Sequence, residues 1–390
     1  MNSVQRKKVL FIITRADTGG AQKYVHDIIT RLNPHEFESI ALYGERDLSW
    51  LKRNANPWLF FLPDWLALRE LYQTLHRLKP AIVHLNSSKA GVLGSLAAFL
   101  YNQTAAEKIK VVFTAHGWVF NPTDAWPAII RYAFVLFHKI AAYFQDAIIC
   151  VSEYDRKLAL RYHIAPPKKL TTIYNGIDPL IEFFSKEDAR SMILNKITKT
   201  ANGLTLPSRP KPKSKWPWIG SIGRLVREKN YETLVRAAQY VPQANFILIG
   251  EGPELKKLQK LSERLKVNLF FIPPTGKDYQ YLKALDVFVM SSIKEGLPYI
   301  ALEAMAASLP IVVTETGGMP EIIQHHEDGI MVAQRNPEAL AQAILGLLHN
   351  TRVKKDLQSK GKNIVKQKFS VQAMIAQTEN VYRQITSEKF

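Results

Sequence analysis

Short runs of consecutive apolar residues alternate along the chain with stretches whose apolar residues recur every three or four positions. In the first half the short runs are "KVLFIIT" (8–14), "ESIALYG" (38–44), "AIVHLNS" (81–87), "KVVFTAHG" (110–117), "DAIICVS" (146–152) and "KLTTIYNG" (169–176). In the second half they are "WPWIGSIG" (216–223), "NFILIGEG" (245–252), "NLFFIPP" (268–274), "DVFVMSS" (286–292), "PIVVTET" (310–316) and "GIMVA" (329–333). Continuous apolar strands separated by amphipathic helices predict parallel sheets covered on both faces. The fold class is therefore α/β, with two Rossmann-like doubly wound domains in tandem, facing one another across a cleft.

At 390 residues the chain is too long for one ordinary hydrophobic core. The pattern predicts an N-terminal domain over 1–180 and a basic joining segment over 181–217, with "NGLTLPSRPKPKSKWP" as a polar loop. A second domain over 218–365 and a terminal helix over 366–390 complete the chain. Ligands of doubly wound sheets sit beyond the carboxyl ends of the strands, so the residues just after each strand carry the functional reading.

Composition narrows the classes. With 47% hydrophobic residues, a wholly disordered chain is excluded. The single cysteine, Cys150, forms no internal disulfide and no cysteine metal site, which suits a reducing compartment. No signal-peptide pattern opens the sequence. The best apolar stretch, "WPAIIRYAFVLFHKIAAYF", is interrupted by Arg131, His138 and Lys139 and so does not read as a membrane span. The net charge of +18, with a basic first half and joining segment, implies an anionic partner: membrane surface, nucleic acid or phosphate ligand.

The segment "SSIKEGLPYIALEAMAASLP" (291–310) places two carboxylates, Glu295 and Glu303, in apolar text. Glu295 follows a strand at a loop tip, and Pro298 is suited to the first turn of the next helix. That helix would offer free N–H groups beside Gly296 and Leu297 for a phosphate. Glu303, further along, could accept hydrogen bonds from ribose hydroxyls. The spacing equally allows a solvent-facing loop glutamate and a helix glutamate paired to lysine. "GSIGRLVREKN" (220–230) sets Gly223, Arg224 and Lys229 after a strand, where glycine lets the backbone approach a ligand and two cations suit a diphosphate. Taken alone, such charges also fit a solvated surface. His116 ends a strand before Gly117, a place as well suited to a structural hydrogen bond as to catalysis. Neither this turn nor "DTGGAQKY" after the first strand is G-x-G-x-x-G, which argues against a nicotinamide dehydrogenase. Asp-x-Asp, P-loop and G-x-S-x-G motifs are absent from the sequence.

In order, "TGGAQ", "HLNSSKAG", "TAHG", "VSEYDR", "YNGID", "IGRLVREKN", "LIGEGPE", "KALDVFVMSSIKEGLPYIALEAMAASLPIVVTETGGMPEII" and "DGIMV" resemble the retaining family 4 glycosyltransferases of the GT-B fold. Within that family the pairing of "HLNSSKAG" with "TAHGW" is similar to bacterial capsule and lipopolysaccharide sugar transferases. The resemblance runs from about Val9 to Tyr382. It implies that Glu295 contacts the donor sugar, with Gly296, Leu297 and Pro298 holding sugar hydroxyls and diphosphate. Glu303 would bind the ribose, Arg224 and Lys229 the diphosphate beside Gly223. Gly276, Lys277 and Glu251 would lie near the base. His116 would stand by the reacting centre, with Gly19, Gly20, Ser88 and Lys89 on the acceptor side. Ser308 stands where the family has glycine, and Gln22 where an acidic residue is common.

The implied activity is a metal-independent, cofactor-free transfer of a hexosyl or N-acetylhexosaminyl group, with retention. It would run from a UDP- or other nucleotide-diphosphate sugar to a lipid-linked or saccharide acceptor, in lipopolysaccharide or capsule synthesis. A nucleotide-sugar 2-epimerase of the same architecture and a basic nucleic-acid-binding protein are the alternatives. No nucleic-acid motif accompanies the charge, so nucleic acid is not an expected partner. Aromatic residues crowd 118–126 ahead of a helix, and with the basic charge they predict peripheral attachment of the first domain to an anionic membrane, at the cytoplasmic face.

Overall fold

Residues Lys7–Ile13 form the first strand, β1, and from Val9 onward every residue in it is buried. A strand buried on both faces needs helices above and below it and strands on either side. The structure, a computed structural model, describes residues 6–14, 19–43, 65–123, 126–203 and 212–387, with backbone alone for 198–203. Residues 204–211 of the polar loop expected over 202–217 fall outside these residues. The chain divides into one unit of Met1–Asn175 with Val371–Phe390 and another of Gly176–Ser370.

In the first unit β1 joins β2 (Phe37–Tyr43), β3 (Ile82–Leu85), β4 (Lys110–Ala115), β5 (Ala147–Cys150) and β6 (Leu170–Thr172). All pairings are parallel, in the order β2-β1-β3-β4-β5-β6. Around the sheet run α1 (Gly20–Arg31), α2 (Trp65–Leu78), α3 (Ser88–Thr104), α4 (Ala128–Tyr143) and α5 (Glu153–Arg161). Helix α3 is rich in glycine and alanine for a steric reason. A Cβ at Gly91 would come within 2.8 Å of the Phe113 ring, and one at Gly94 would collide with Leu85. Small residues let α3 lie directly on β3 and β4. Trp118 and Phe120, which the sequence places on a membrane surface, are instead core residues at 1% and 0% exposure. The Trp118 indole stacks on Phe120 at 4.9 Å and donates to the Asp155 carbonyl at 2.8 Å. Two large aromatic rings after a strand find room because the loop folds inward over His138 of α4.

The second unit holds α6 (Lys186–Gly203), β7 (Trp218–Ile222), α7 (Tyr231–Ala237), β8 (Asn245–Ile249), α8 (Leu255–Arg264), β9 (Leu269–Ile272) and β10 (Val287–Met290). It continues with α9 (Tyr299–Ala306), β11 (Ile311–Thr314), α10 (Met319–Ile322), β12 (Ile330–Val332), α11 (Pro337–His349) and α12 (Thr351–Lys368). Its parallel sheet has the order β12-β11-β10-β7-β8-β9. About half of the segment read as a basic linker, residues 186–203, is helix α6, docked on this unit. Arg190 donates to the Ala284 carbonyl at 2.8 Å and to Asp286 at 2.7 Å, while Lys186 meets Asp286 at 2.6 Å. Asp286 also accepts from the Trp218 N–H at 2.8 Å, so one carboxylate ties α6 to the start of β7. Burial by itself would raise the pKa of Asp286, but the bonds from Lys186 and Trp218 and the charge of Arg190 bring it below the ordinary value. The linker reading rested on polarity. Those polar groups are satisfied by a partner about a hundred residues away, which no local pattern reveals.

The terminal helix, α13 (Val371–Ser387), belongs to the first unit. The chain leaves the first unit and returns to it at neighbouring points, since Ile177 and Ser370 form a parallel bridge. Tyr382 packs edge-on against Phe37 at 5.6 Å, and its hydroxyl lies 2.5 Å from His84 Nδ1. Glu379 accepts from the Asn33 N–H at 2.8 Å, and Arg383 reaches Glu36 at 2.8 Å and Glu379 at 2.9 Å. Truncating the fully buried Tyr382 would open a cavity and leave His84 short of a partner. Tyr382→Ala is expected to destabilise the first unit by about 3 kcal/mol. Urea unfolding checks this, and an unshifted midpoint would show α13 to be a passive appendage.

Candidate functional site

The strand order of the second unit reverses between β7 and β10: β8 and β9 lie on one side, β11 and β12 on the other. At such a switch point the loops leaving the two central strands splay apart and expose backbone at their carboxyl ends. These loops run from Gly223 to Asn230 and from Ser291 to Pro298. They are joined by an ion pair, Lys229 Nζ to Glu295 Oε1, at 2.6 Å, with side chains 20% and 9% exposed. Ser292 Oγ donates to the same Oε1 at 2.6 Å. Backbone contacts hold the loops in register: Ser291 Oγ donates to the Lys229 carbonyl at 3.1 Å and the Ile293 N–H to the Glu228 carbonyl at 2.9 Å. Among the described residues nothing donates to Glu295 Oε2, so one carboxylate oxygen is positioned and still able to accept. The negative charge also bears on the buried phenol of Tyr231, whose pKa is raised first by burial and then by Glu295, against a bond from Ser221.

Glycine is required where backbone meets backbone. A Cβ at Gly250 would collide with the Gly223 carbonyl, and one at Gly317, where φ is +53°, with the carbonyl of Glu295. The Leu225 N–H donates to the Glu251 carbonyl at 2.7 Å, and the Gly318 N–H to Gly296 at 2.9 Å. Gly223, Arg224, Lys229, Glu251, Glu295 and Gly296 therefore share one stretch of strand ends. Arg224 is exposed and, among the described residues, has no side-chain partner. Leu297 and Pro298 are buried, and Pro298 is the residue capping α9 and not part of its first turn. Glu303 lies within α9 at 4% exposure. Gly276 and Lys277 are exposed in the loop after β9, at the sheet edge. Three strand spacings separate that edge from β10, about 14 Å, so these two stand apart from the ion pair.

In the first unit the reversal falls between β1 and β3. Gly19, in extended conformation, precedes α1 and Gly20 opens it; both are exposed. Ser87 caps α3, accepting from the Ala90 N–H at 3.3 Å, which places Ser88 and Lys89 half-exposed in its first turn. His116 follows β4, with Nε2 at 3.4 Å from Asn86 Oδ1 and its ring against Tyr24 at 4.8 Å. Below it lies a buried polar chain. His84 Nε2 is 2.7 Å from Thr114 Oγ1, which lies 3.2 Å from the Tyr24 hydroxyl, and His84 Nδ1 is 2.5 Å from the Tyr382 hydroxyl. Burial lowers both His84 and His116 to about 3, the charge of His116 adding to the shift of His84. Burial pushes Tyr24 up to about 12, against bonds to Thr114 and Thr378. His116 is thus a neutral imidazole near pH 7, although its edge reaches solvent. Sequence reasoning missed Tyr24, His84 and Tyr382. The one available signal was the polar residue inside the buried strand "AIVHL".

Two doubly wound parallel units, each with polar groups gathered at its switch point, make this a two-domain α/β protein of the GT-B class. Residues 18–179 match the family model described as Glycosyltransferase Family 4, and residues 206–364 the one described as Glycosyl transferases group 1. The chain is 28% identical, over 73% of its length and 70% of the relative's, to UDP-Gal:alpha-D-GlcNAc-diphosphoundecaprenol alpha-1,3-galactosyltransferase of Escherichia coli. It is 22% identical, over 83% and 82%, to the capsular polysaccharide biosynthesis glycosyltransferase CapM of Staphylococcus aureus. Its fold is similar to the crystal structure of Anabaena HepE in complex with UDP-glucose, with a TM-score of 0.76 over 97% of this chain and 100% of that one at 20% identity. The chain belongs to the family 4 glycosyltransferases of the GT-B fold, and is an enzyme of that class.

Two outcomes follow from this geometry. Lys229→Met strands a nearly buried carboxylate and Glu295→Gln strands its lysine, so a double-mutant cycle on unfolding should show a coupling of about 1–3 kcal/mol. Strict additivity would mean that the pair does not hold the loops. The second concerns pH. His84 and His116 at about 3, and His138 lowered by burial to about 4, bind protons in the unfolded chain below about 6.5 that they lack when folded. Their contribution is complete above that pH and is lost as pH falls from about 6.5 towards their folded values. Unfolding free energy should drop between pH 7 and 5 by on the order of 1–2 kcal/mol per histidine. In His84→Gln one such share should vanish, and an identical drop in that variant would rule His84 out.

Proposed function

We propose that the enzyme transfers a hexosyl or N-acetylhexosaminyl group from a nucleotide-diphosphate sugar, with UDP as the nucleotide, to a lipid-linked or saccharide acceptor in lipopolysaccharide or capsule biosynthesis. The observation that carries this reading is the Lys229–Glu295 pair at the switch point of the second unit, beside the exposed Arg224. The E. coli relative, named for a UDP-galactose donor and a diphosphoundecaprenol-linked acceptor, supports it. The family membership favours transfer over the 2-epimerase alternative.

In this reading the bond from the anomeric carbon to the diphosphate oxygen breaks, and its electron pair leaves with the nucleotide. Arg224, Lys229 and the N-terminus of α9 stabilise that charge, which removes the need for a divalent metal or other cofactor. Glu295 Oε2 accepts from a sugar hydroxyl, while Gly296, Leu297 and Pro298 hold sugar and phosphate by backbone. Glu303 takes the ribose, and Gly276, Lys277 and Glu251 stand on the side of the base. His116 acts at the reacting centre as a neutral hydrogen-bonding imidazole. Gly19, Gly20, Ser88 and Lys89 receive the acceptor. Its hydroxyl attacks the same face that the diphosphate leaves, so the configuration is retained, and its proton passes to the departing phosphate oxygen. We assign the enzyme to the inner face of the cell membrane, as a peripheral protein. No described helix is long and apolar enough to cross a membrane.

Glu295→Gln and Arg224→Ala should each lower transfer at least about a hundredfold, with the fold intact. A UDP-sugar should raise the thermal midpoint of the wild-type enzyme, since it binds only the folded state. Near-normal turnover in either variant at saturating donor would overturn the site. Activity abolished by excess chelator and restored by magnesium or manganese would overturn the metal-free part alone.

A further inference from the structure

Helix α4 is apolar on both sides. Its inner side buries Ile130, Phe134, Val135 and His138 against the sheet of the first unit. Its outer side leaves Ile129, Tyr132, Leu136, Ile140 and Tyr143 exposed, at 68%, 58%, 58%, 52% and 80%. Their spacing of three or four residues puts all five on one stripe, about 21 Å long at 1.5 Å per residue. Trp126, 40% exposed, leads into the stripe, and Leu100 of α3, at 39%, is a further exposed apolar residue of this unit. A helix apolar on both its inner and outer sides is ordinarily buried, and the outer side of this one is not. Scattered exposed leucines need no explanation, but a continuous stripe does.

We propose that this face of α4 docks the enzyme on an anionic bilayer. The proposal rests on, and deepens, the reading of the enzyme as a peripheral membrane protein with a lipid-linked acceptor. Charge decides the occupant. From 128 to 143 there is no aspartate or glutamate, while Arg131 and Lys139 lie along the helix. Lys169 sits at its carboxyl end, donating to the carbonyls of Ala142 and Tyr143 at 3.1 and 3.3 Å. A two-fold dimer would set this surface against itself, bringing like charges together with no carboxylate on the helix to answer them. Anionic headgroups supply the missing charge, and the two tyrosines suit the boundary between headgroup and acyl chain. The helix also follows β4 directly in the chain, through the loop 116–127. The intervening loop is held to α4 by Trp118, whose ring meets His138 at 5.2 Å. The membrane contact and the loop of His116 are thus parts of one packed body.

The test is co-sedimentation of the full-length enzyme with phosphatidylcholine vesicles, with and without about one third phosphatidylglycerol. Wild type should bind the anionic vesicles. Leu136→Asp should lose at least about tenfold in partitioning, with an unchanged thermal midpoint and unchanged stabilisation by a UDP-sugar. Lys139→Glu should weaken binding to the anionic vesicles only. If Leu136→Asp binds like wild type, α4 is not the contact, although the enzyme remains a membrane protein. If wild type binds neither vesicle but is still stabilised by a UDP-sugar, the membrane reading fails and the donor reading stands. A dimer lost in Leu136→Asp without any change in vesicle binding would make the face a subunit interface and overturn the proposal.

Discussion

Covering a carboxylate nine-tenths with protein is costly unless a cation stands against it, and the second unit is organised around meeting that condition for Glu295. Lys229 supplies the charge, yet the pair by itself would hold little. What fixes it is the backbone on both sides: the Ser291 hydroxyl on the Lys229 carbonyl, the Ile293 N–H on Glu228, and the Gly317–Gly318 turn against Glu295 and Gly296. A buried ion pair contributes uncertainly to stability, because desolvation offsets much of the attraction. Here its consequence is geometric. Both donors converge on Oε1, which leaves Oε2 able to accept from something outside the protein.

The first unit handles buried polarity in the opposite way. His84, Thr114, Tyr24 and Tyr382 form a chain in which every member is held neutral, the histidine by a lowered pKa and the tyrosines by raised ones. A neutral network satisfies its hydrogen bonds without any ion to desolvate. It also makes α13 an internal part of the unit, because Tyr382 closes the chain from the far end of the sequence. His116 rests on this network through the ring of Tyr24, so its position depends on residues that never approach a ligand.

Hydrophobic surface is distributed with the same economy. Trp118 and Phe120 look like surface aromatics ahead of a helix, but the loop carrying them turns into the core. Among the apolar residues left outside are those on the outer side of α4. Hydropathy along the chain records how apolar this helix is and does not say which of its two sides the sheet will cover.

Much of the architecture was legible beforehand because strands and helices announce themselves over a few residues. Period, breaker glycines and the apolar runs from "KVLFIIT" to "GIMVA" defined twelve strands in two α/β halves and placed Glu295, Arg224, Lys229 and His116 at strand ends. What the sequence left open was partnership. Lys229 reads locally as a phosphate ligand or a surface charge. Only the order of β7 beside β10 brings it to Glu295, 66 positions away. "SKEDARSMIL" reads as linker until Asp286 gathers Lys186 and Arg190. The final helix reads as an appendage until Tyr382 meets His84 across 298 positions. The sequence by itself determined the elements and the chemistry carried at their ends, since these follow from neighbours within a turn or a pleat. Tertiary structure alone decided which charge meets which, because a pair's energy depends on distance in space and on exclusion of water, and neither exists until the sheets have closed.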